Sequence, residues 1–238
     1  EQGLVLSVFH NRRWDGDFLT IRKLLAEGWL GKLAECEFHW DRYAPRPGGG
    51  WREANAPGAG VFYDLGVHFL DQALCLFGMP QTIRGDIRIQ REGGEIDDYF
   101  DVQLGYENGL KVILKSSKLV REEGPRYVLH GTNGSFVKYG IDPQEQALIE
   151  GRTPAEPGWG SEPESQWGKI NTVINGLHVT GKIETIRGSY ADYYQNVYEA
   201  IIGSAELAVK PEQARNAIRL IELAQQSSRE GRTLPVTE

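Results

Sequence analysis

The amino-acid sequence predicts an α/β (α+β) fold in which one open, mainly antiparallel sheet carries helices on one face. Strand-like segments follow one another between residues 82 and 138 with no crossover helix of the kind that parallel strands need. Helical patterns lie before and after this run of strands. Three joins between strands contain the dipeptide that most favours a hairpin turn: Asn108-Gly109, Asn133-Gly134 and Asn175-Gly176.

The first part of the chain alternates strand and helix. A six-residue apolar run at 4–9 predicts a strand, and Asp15 or Asp17 can cap a helix that ends at Gly28. From residue 33 to 43 the apolar positions recur every second residue, which predicts a strand with one buried face. A Pro/Gly-rich connection then leads to a helix that ends at Gly78.

The second part contributes most of the sheet and two closing helices. Alternating or apolar runs predict strands at 82–90, 98–106, 110–117, 127–130, 135–138, 170–174 and 177–183. A short helix is predicted at 142–150, and the Pro-, Gly- and Trp-rich residues 151–168 form a surface loop. Helical spacing predicts one helix over 190–202 and another that begins at Pro211.

Composition excludes several classes of protein. The 238 residues carry a net charge of −7, which argues against a nucleic-acid partner because such proteins present basic surfaces to phosphates. No apolar run is long enough to cross a membrane and no signal-peptide pattern opens the chain, so we expect a cytoplasmic protein. Cys36 and Cys75 are too few for a disulfide framework.

The clearest candidate site is Asp64-x-x-x-His68 on the predicted helix that follows the Gly-rich connection. Residues four apart share one face of an α-helix, so Asp64 can orient the His68 imidazole. The alternative is a core histidine satisfied by a neighbouring carboxylate. A metal site is a further alternative, for which only His39 and Asp41 lie near enough in sequence to add a ligand.

Two other groups of polar residues are candidates for binding. His39 and Asp41 share the polar face of the predicted strand at 33–43, a face that water alone can also satisfy. The cluster Asn11-Arg12-Arg13-Trp14 is too small for a nucleic-acid groove but suits a cofactor phosphate or a substrate carboxylate. Interdomain packing and salt bridging are the alternative roles for these basic residues.

Several motifs together resemble the glucose-fructose oxidoreductase, inositol dehydrogenase and rhizopine-catabolism (Gfo/Idh/MocA) family, and most closely its bacterial NADP-dependent scyllo-inositol dehydrogenase-like branch. The resemblance spans nearly the whole chain. Its motifs are Val8-Phe-His-Asn-Arg-Arg-Trp-Asp15, Trp51-Arg52-Glu53, Gly60-x-x-x-Asp64-x-x-x-His68 and His130-Gly-Thr-x-Gly134.

The resemblance implies a function and a set of site residues. His68 would be the acid/base for hydride transfer between a sugar or polyol and NADP or NAD, and Asp64 would hold its tautomer. His39, Asp41 and Arg52 would contact substrate hydroxyls. Asn11, Arg12 and Arg13 would line the nicotinamide end of the site.

The resemblance also implies that this chain is one half of a two-domain enzyme. The family's Glu-Lys-Pro motif and the Gly-x-Gly-x-x-Gly phosphate-binding turn are absent. We therefore expect residues 1–14 to hold the last strand of a truncated Rossmann domain and residues 15–238 to form the substrate-binding and dimerisation domain, inactive by itself. The helix-free sheet face would pair in a homo-oligomer. A non-catalytic oligomerisation or ligand-binding module is the alternative function.

Overall fold

A computed structural model describes residues 4–237. Its centre is an open nine-stranded sheet, in the order β8-β7-β6-β5-β1-β4-β3-β2-β9. The strands are β1 (Leu33–His39), β2 (Thr82–Arg88), β3 (Tyr99–Gly105), β4 (Lys111–Ser117), β5 (Tyr127–Gly131), β6 (Gly134–Lys138), β7 (Gly168–Ile174), β8 (Leu177–Ile183) and β9 (Leu234–Pro235). Of these, the sequence did not predict β9.

Five α-helices accompany the sheet in the described part of the chain. They are α1 (Gly16–Ala26), α2 (Val67–Phe77), α3 (Gln144–Ile149), α4 (Ala191–Ile201) and α5 (Pro211–Glu230). A π-helical turn, Phe62–Gly66, runs directly into α2. Short 3₁₀ turns lie at Asn11–Trp14, Trp51–Glu53 and Glu164–Gln166.

The sheet is antiparallel except where β1 meets β4. These two strands pair in parallel, with Cys36 opposite Val112 and Phe38 opposite Leu114. On its other side β1 pairs antiparallel with β5. Strand β1, the first strand of the sheet in chain order, thus lies in its middle, between two strands that come later in the chain.

One face of the sheet is buried under helices. Alternate residues of the central strands, such as Phe38, Val102 and Leu114, form a single core with apolar residues of α1, α2 and α5. The opposite face carries the intervening residues, among them Glu35 and Glu37, which are only half-buried. This arrangement confirms the predicted open sheet with helices on one face.

Helix α5 approaches β2 closely because β2 has a glycine at the contact. A Cβ at Gly85 would lie 2.3 Å from the carbonyl oxygen of Ala224. The same glycine donates its backbone N–H to the Ser227 hydroxyl over 3.0 Å. The absence of a side chain at Gly85 and its hydrogen bond to Ser227 together hold α5 against β2.

The N-terminal segment differs from the prediction. Residues 4–10 have no regular secondary structure, and the side chains of Leu4 and Leu6 are exposed. An apolar strand needs neighbouring strands on both sides to satisfy its backbone, and no described strand lies beside this segment. Phe9 instead packs its ring against Tyr193 and Tyr194 of α4. Residues 1–3 lie outside the described residues, and the assignment of 1–14 to another domain remains a prediction.

Helix α4 is confirmed in position, and Tyr193 of its apolar stripe is buried, but most of the stripe is not. Tyr194, Tyr198 and Ile201 are all more than half exposed.

Of the two cysteines, Cys36 is buried and Cys75 is exposed. Within residues 4–237 no helix is both long and apolar enough to cross a membrane.

Candidate active site

The predicted Asp64/His68 helix does not begin as an α-helix. Residues Phe62–Gly66 form a π-helical turn, in which each backbone bond spans five residues instead of four. Gly66 makes room for this turn, because a Cβ there would lie 2.2 Å from the ring of Phe62. π-Turns of this kind are frequent at functional sites.

The wider turn separates Asp64 from His68. A turn with one more residue no longer places positions four apart on one face, and Asp64 Oδ1 accepts a bond from Arg52 Nε over 2.9 Å. The Nδ1 atom of His68 has no hydrogen-bond partner among the described residues. The predicted contact in which Asp64 orients the His68 ring is therefore not formed.

Both residues nevertheless line one cleft between α2 and the segments that precede it. The cleft brings together five of the predicted site residues: Asn11, Arg12, Arg52, Asp64 and His68. Its remaining wall includes Phe9, the glycines at 48–50, Arg42, Lys118 and Glu145. Residues from three distant parts of the sequence thus meet around the His68 imidazole.

The His68 imidazole is neutral at physiological pH. Burial and the positive charges of Arg12, His10 and Arg126 lower the pKa of His68 to about 3. The His10 ring lies edge-on to it, 5.9 Å away between centroids. A neutral imidazole beside a cleft can accept a proton from a bound hydroxyl group.

Arg12 is buried at the inner wall of the cleft. Its Nη1 donates to the Tyr190 hydroxyl over 3.0 Å, its Nη2 pairs with Glu145, and its guanidinium lies 4.4 Å from the centroid of Trp40. Burial acts to lower the pKa of Arg12, but Asp15, Tyr190 and Glu145 outweigh it and raise that pKa. Arg12 is therefore a fixed positive charge at the cleft.

Arg13 does not line the cleft. Its Nε and Nη2 donate to both oxygens of Asp71, over 2.8 and 2.6 Å, and both side chains are buried. Its Nη1 reaches the carbonyl oxygen of Ala208 and the side chain of Gln213 at the start of α5. The geometry thus favours the salt-bridging alternative for Arg13 over contact with a cofactor.

His39 and Asp41 lie on the helix-free face of the sheet and line a neighbouring cleft, not the one with His68. His39 Nε2 is 2.8 Å from Glu37 and its Nδ1 is 3.6 Å from Asp41. Burial acts to lower the pKa of His39, but these two carboxylates outweigh it and raise that pKa. The two clefts are neighbours that share Arg42 and Glu145 as lining residues.

Sequence reasoning missed the cations that surround Trp40. Arg126 lies 4.9 Å and Arg42 lies 5.4 Å from the Trp40 ring centroid, in addition to Arg12. The signal for Trp40 was its place on the buried face of the predicted strand at 33–43. Arg126 immediately precedes a predicted strand, and nothing in its local sequence points to the site.

No group of three or more His, Cys, Asp and Glu side chains in residues 4–237 is arranged to hold a metal ion. For a nicotinamide cofactor, Asn11 and Arg12 are the predicted residues that reach the cleft. Their amide and guanidinium groups suit the polar groups of a nucleotide.

Comparison with known proteins agrees with this architecture. A family model described as the C-terminal alpha/beta domain of an oxidoreductase family matches residues 22–237. The chain belongs to the Gfo/Idh/MocA oxidoreductase family. The predicted membership is thereby confirmed, and the chain carries the C-terminal domain of a Gfo/Idh/MocA protein.

Curated relatives in the Gfo/Idh/MocA family are longer than this chain. It is 44% identical over 234 residues to scyllo-inositol 2-dehydrogenase (NADP(+)) IolW of Bacillus subtilis, which covers 98% of this chain and 65% of IolW. It is 43% identical over 232 residues to the uncharacterized oxidoreductase YdgJ of Escherichia coli, with 98% and 66% covered. The chain therefore spans about two thirds of the length of these relatives.

Solved structures of Gfo/Idh/MocA oxidoreductases share the fold. The oxidoreductase yvaA of Bacillus subtilis superposes with a TM-score of 0.94 at 43% identity, covering 99% of this chain and 67% of that one. An oxidoreductase of Bacteroides fragilis gives 0.90 at 45% identity, covering 98% and 67%.

Proposed function

We propose that this chain is the substrate-binding domain of an NAD(P)-dependent oxidoreductase that acts on a CH–OH group of a sugar or polyol, with His68 as the acid/base. The observation that carries the proposal is the neutral imidazole at the wall of a polar cleft. The name of the relative IolW, a scyllo-inositol 2-dehydrogenase (NADP(+)), supports the same reaction class.

His68 would take the hydroxyl proton as the carbon is oxidised and return it on reduction. The nicotinamide ring, when bound, supplies the hydride acceptor. The guanidiniums of Arg12 and Arg126 disfavour the imidazolium and so keep the ring in the form that accepts a proton. Asp64 and Arg52, joined in an exposed pair, would contact substrate hydroxyls at the cleft rim.

Exposed apolar side chains support a second domain. Leu4, Leu6 and Phe9 lie at the surface together with Tyr194 and Tyr198 of α4. A contiguous apolar surface next to an active-site cleft is typical of an interface. We propose that a cofactor-binding domain packs on this surface and places the nicotinamide near Asn11 and Arg12.

The test is steady-state oxidation of inositols and sugars by the enzyme that includes the preceding part of the reading frame. His68→Ala should lower kcat by about 10²- to 10⁴-fold, while calorimetry should show unchanged NADPH affinity. His130→Ala is the matched control, because His130 is exposed and bonds only Ser135.

Near-normal turnover by His68→Ala would contradict the role of His68. Absence of NADH and NADPH binding in the wild type would favour the alternative of a non-catalytic oligomerisation or ligand-binding module.

A further inference from the structure

Buried nitrogen atoms without hydrogen-bond partners gather where the two clefts meet. Among residues 4–237 they include Nε of Arg12, Nε1 of Trp40, Nδ1 of His68, and both Nε and Nη2 of Arg126. Buried donors are nearly always paired in native proteins, because an unpaired one has lost its hydrogen bonds to water without replacement. Several such atoms at one place indicate a ligand that accepts hydrogen bonds.

These side chains are neighbours in space. The guanidiniums of Arg12 and Arg126 lie 4.4 and 4.9 Å from the centroid of the same Trp40 ring. Trp40 and Arg126 line the cleft with His39, whereas Arg12 and His68 line the adjoining cleft. The Trp40 ring thus has guanidiniums of both clefts beside it.

Arg126 is a buried cation that lacks a counter-ion. Its side chain has 3% exposure, and within the described chain no carboxylate forms an ion pair with it. It donates Nη1 to the carbonyl oxygen of His39 over 2.8 Å and lies 4.4–4.9 Å from the rings of Trp40, Phe69 and Tyr127. Cation–π contacts offset only part of the cost of burying a charge.

The neighbouring surface is also positive. Arg42, which lines both clefts, has no ion-pair partner in the part of the chain that the structure describes, and neither does Lys118. Burial and the charge of Arg42 lower the pKa of Lys118. The acidic residues of the cleft wall, Asp64 and Glu145, are already paired with Arg52 and Arg12.

A hydroxyl group can accept a hydrogen bond but cannot neutralise a buried guanidinium. An oxyanion satisfies both needs, because the two N–H groups of an arginine fork match two oxygens of a carboxylate or a phosphate. We infer that the substrate is a sugar or polyol bearing an oxyanion, a carboxylate or a phosphate, which binds Arg126 and Arg12 while the reacting carbon lies at His68. The inference rests on the proposed function, and the oxyanion takes no part in the bond changes.

The experiment compares kcat/KM of the full-length enzyme for D-glucose, D-glucuronate and D-glucose 6-phosphate. One of the two charged sugars should exceed glucose by about tenfold or more, since a site built for a polar group rejects analogues that lack it. The better of the two identifies the oxyanion. Equal values for all three substrates would overturn the inference and assign the unpaired donors to water.

Variants locate the site. Arg126→Gln should abolish the preference, lowering kcat/KM for the charged sugar at least about tenfold more than it lowers kcat/KM for glucose. Arg126→Lys should retain part of the preference, because it keeps the charge and loses the fork. The control is Arg121→Gln, an exposed arginine that stacks on Tyr43 and lines the same cleft as Arg126, which should keep the full preference. An unchanged preference in a folded Arg126→Gln would overturn the inference.

Calorimetry separates this inference from the proposed function and does not depend on a variant that folds. If the wild type oxidises no sugar, the proposed function fails. Saturable binding of glucuronate or glucose 6-phosphate without competition by glucose would then still support an oxyanion site. If neither glucuronate nor glucose 6-phosphate binds, the inference of an oxyanion site is overturned.

Discussion

The buried pair of Arg13 and Asp71 offers the sharpest test of how the structure assigns the basic cluster near the N-terminus. Both N–H groups of the Arg13 fork reach Asp71, with side-chain exposures of 6% and 2%. Arg13→Met leaves the Asp71 carboxylate buried without its partner. Removing one member of such a pair costs about 3–5 kcal/mol.

For a domain of this size, a loss of 3–5 kcal/mol lowers Tm by roughly 6–20 °C. Urea denaturation followed by circular dichroism measures the free energy of unfolding directly. The matched control is Lys23→Met, which breaks the Lys23–Glu27 pair of 2.6 Å on the surface of α1. Exposed pairs of this kind contribute little to stability, so Lys23→Met should change the free energy of unfolding far less than Arg13→Met.

A double variant separates lost charge pairing from lost packing. Arg13→Met combined with Asp71→Leu should recover much of the stability, because replacing a buried ion pair by apolar residues is often neutral. If Arg13→Met is as stable as Lys23→Met and instead weakens NADPH binding by the full-length enzyme, Arg13 binds cofactor and the structural interpretation is refuted.

Two further predictions concern titration and assembly. Because His68 has a folded pKa of about 3 against an ordinary 6.5, the unfolded chain binds the extra proton between these values. The free energy of unfolding of the wild type minus that of His68→Gln should therefore fall as pH drops from 6.5 towards 3 and stay constant above pH 6.5. A difference that is the same at every pH would contradict the lowered pKa of His68. We also propose a homo-oligomer through the helix-free sheet face, where Ile113, Val128 and Val137 form an apolar row interrupted only by Glu37. Light scattering should give at least twice the 26.7 kDa chain mass, and Val128→Arg should reduce it to one copy; a monomeric wild type would refute the proposal.

The strands could be predicted because their signals are local. Alternating apolar residues located β2, β3 and β4 to within two residues of their ends. At the last hairpin both Asn175 and Gly176 adopt positive φ, of 51° and 79°, as the dipeptide predicts. The parallel pairing of β1 with β4 could not be predicted from local sequence, because it joins segments that are more than 70 residues apart in the chain.

The site was harder to predict because its contacts span long distances in sequence. Asp15 or Asp17 was predicted to cap α1. Asp15 does lie at the N-cap position, but its side chain makes no cap bond, and the carboxylate that accepts from Gly16 N belongs to Asp142. The π-helical turn before His68 follows from the packing of the Phe62 ring at Gly66, which helical periodicity cannot reveal. Arg126 comes to the site only because β5 pairs beside β1. Local sequence therefore singled out His68 and Arg12 as candidates but not Arg126, whose charge also acts on His68.

The two edge strands of the sheet differ in whether they can pair with a further strand. Strand β9 has two residues, and the second is Pro235, which has no N–H to offer another strand. Strand β8 at the other margin is seven residues long and exposed along nearly its whole length, with Leu177 and Val179 at the surface. Any added strand, whether from a second molecule or from a misfolded neighbour, is therefore confined to the β8 side.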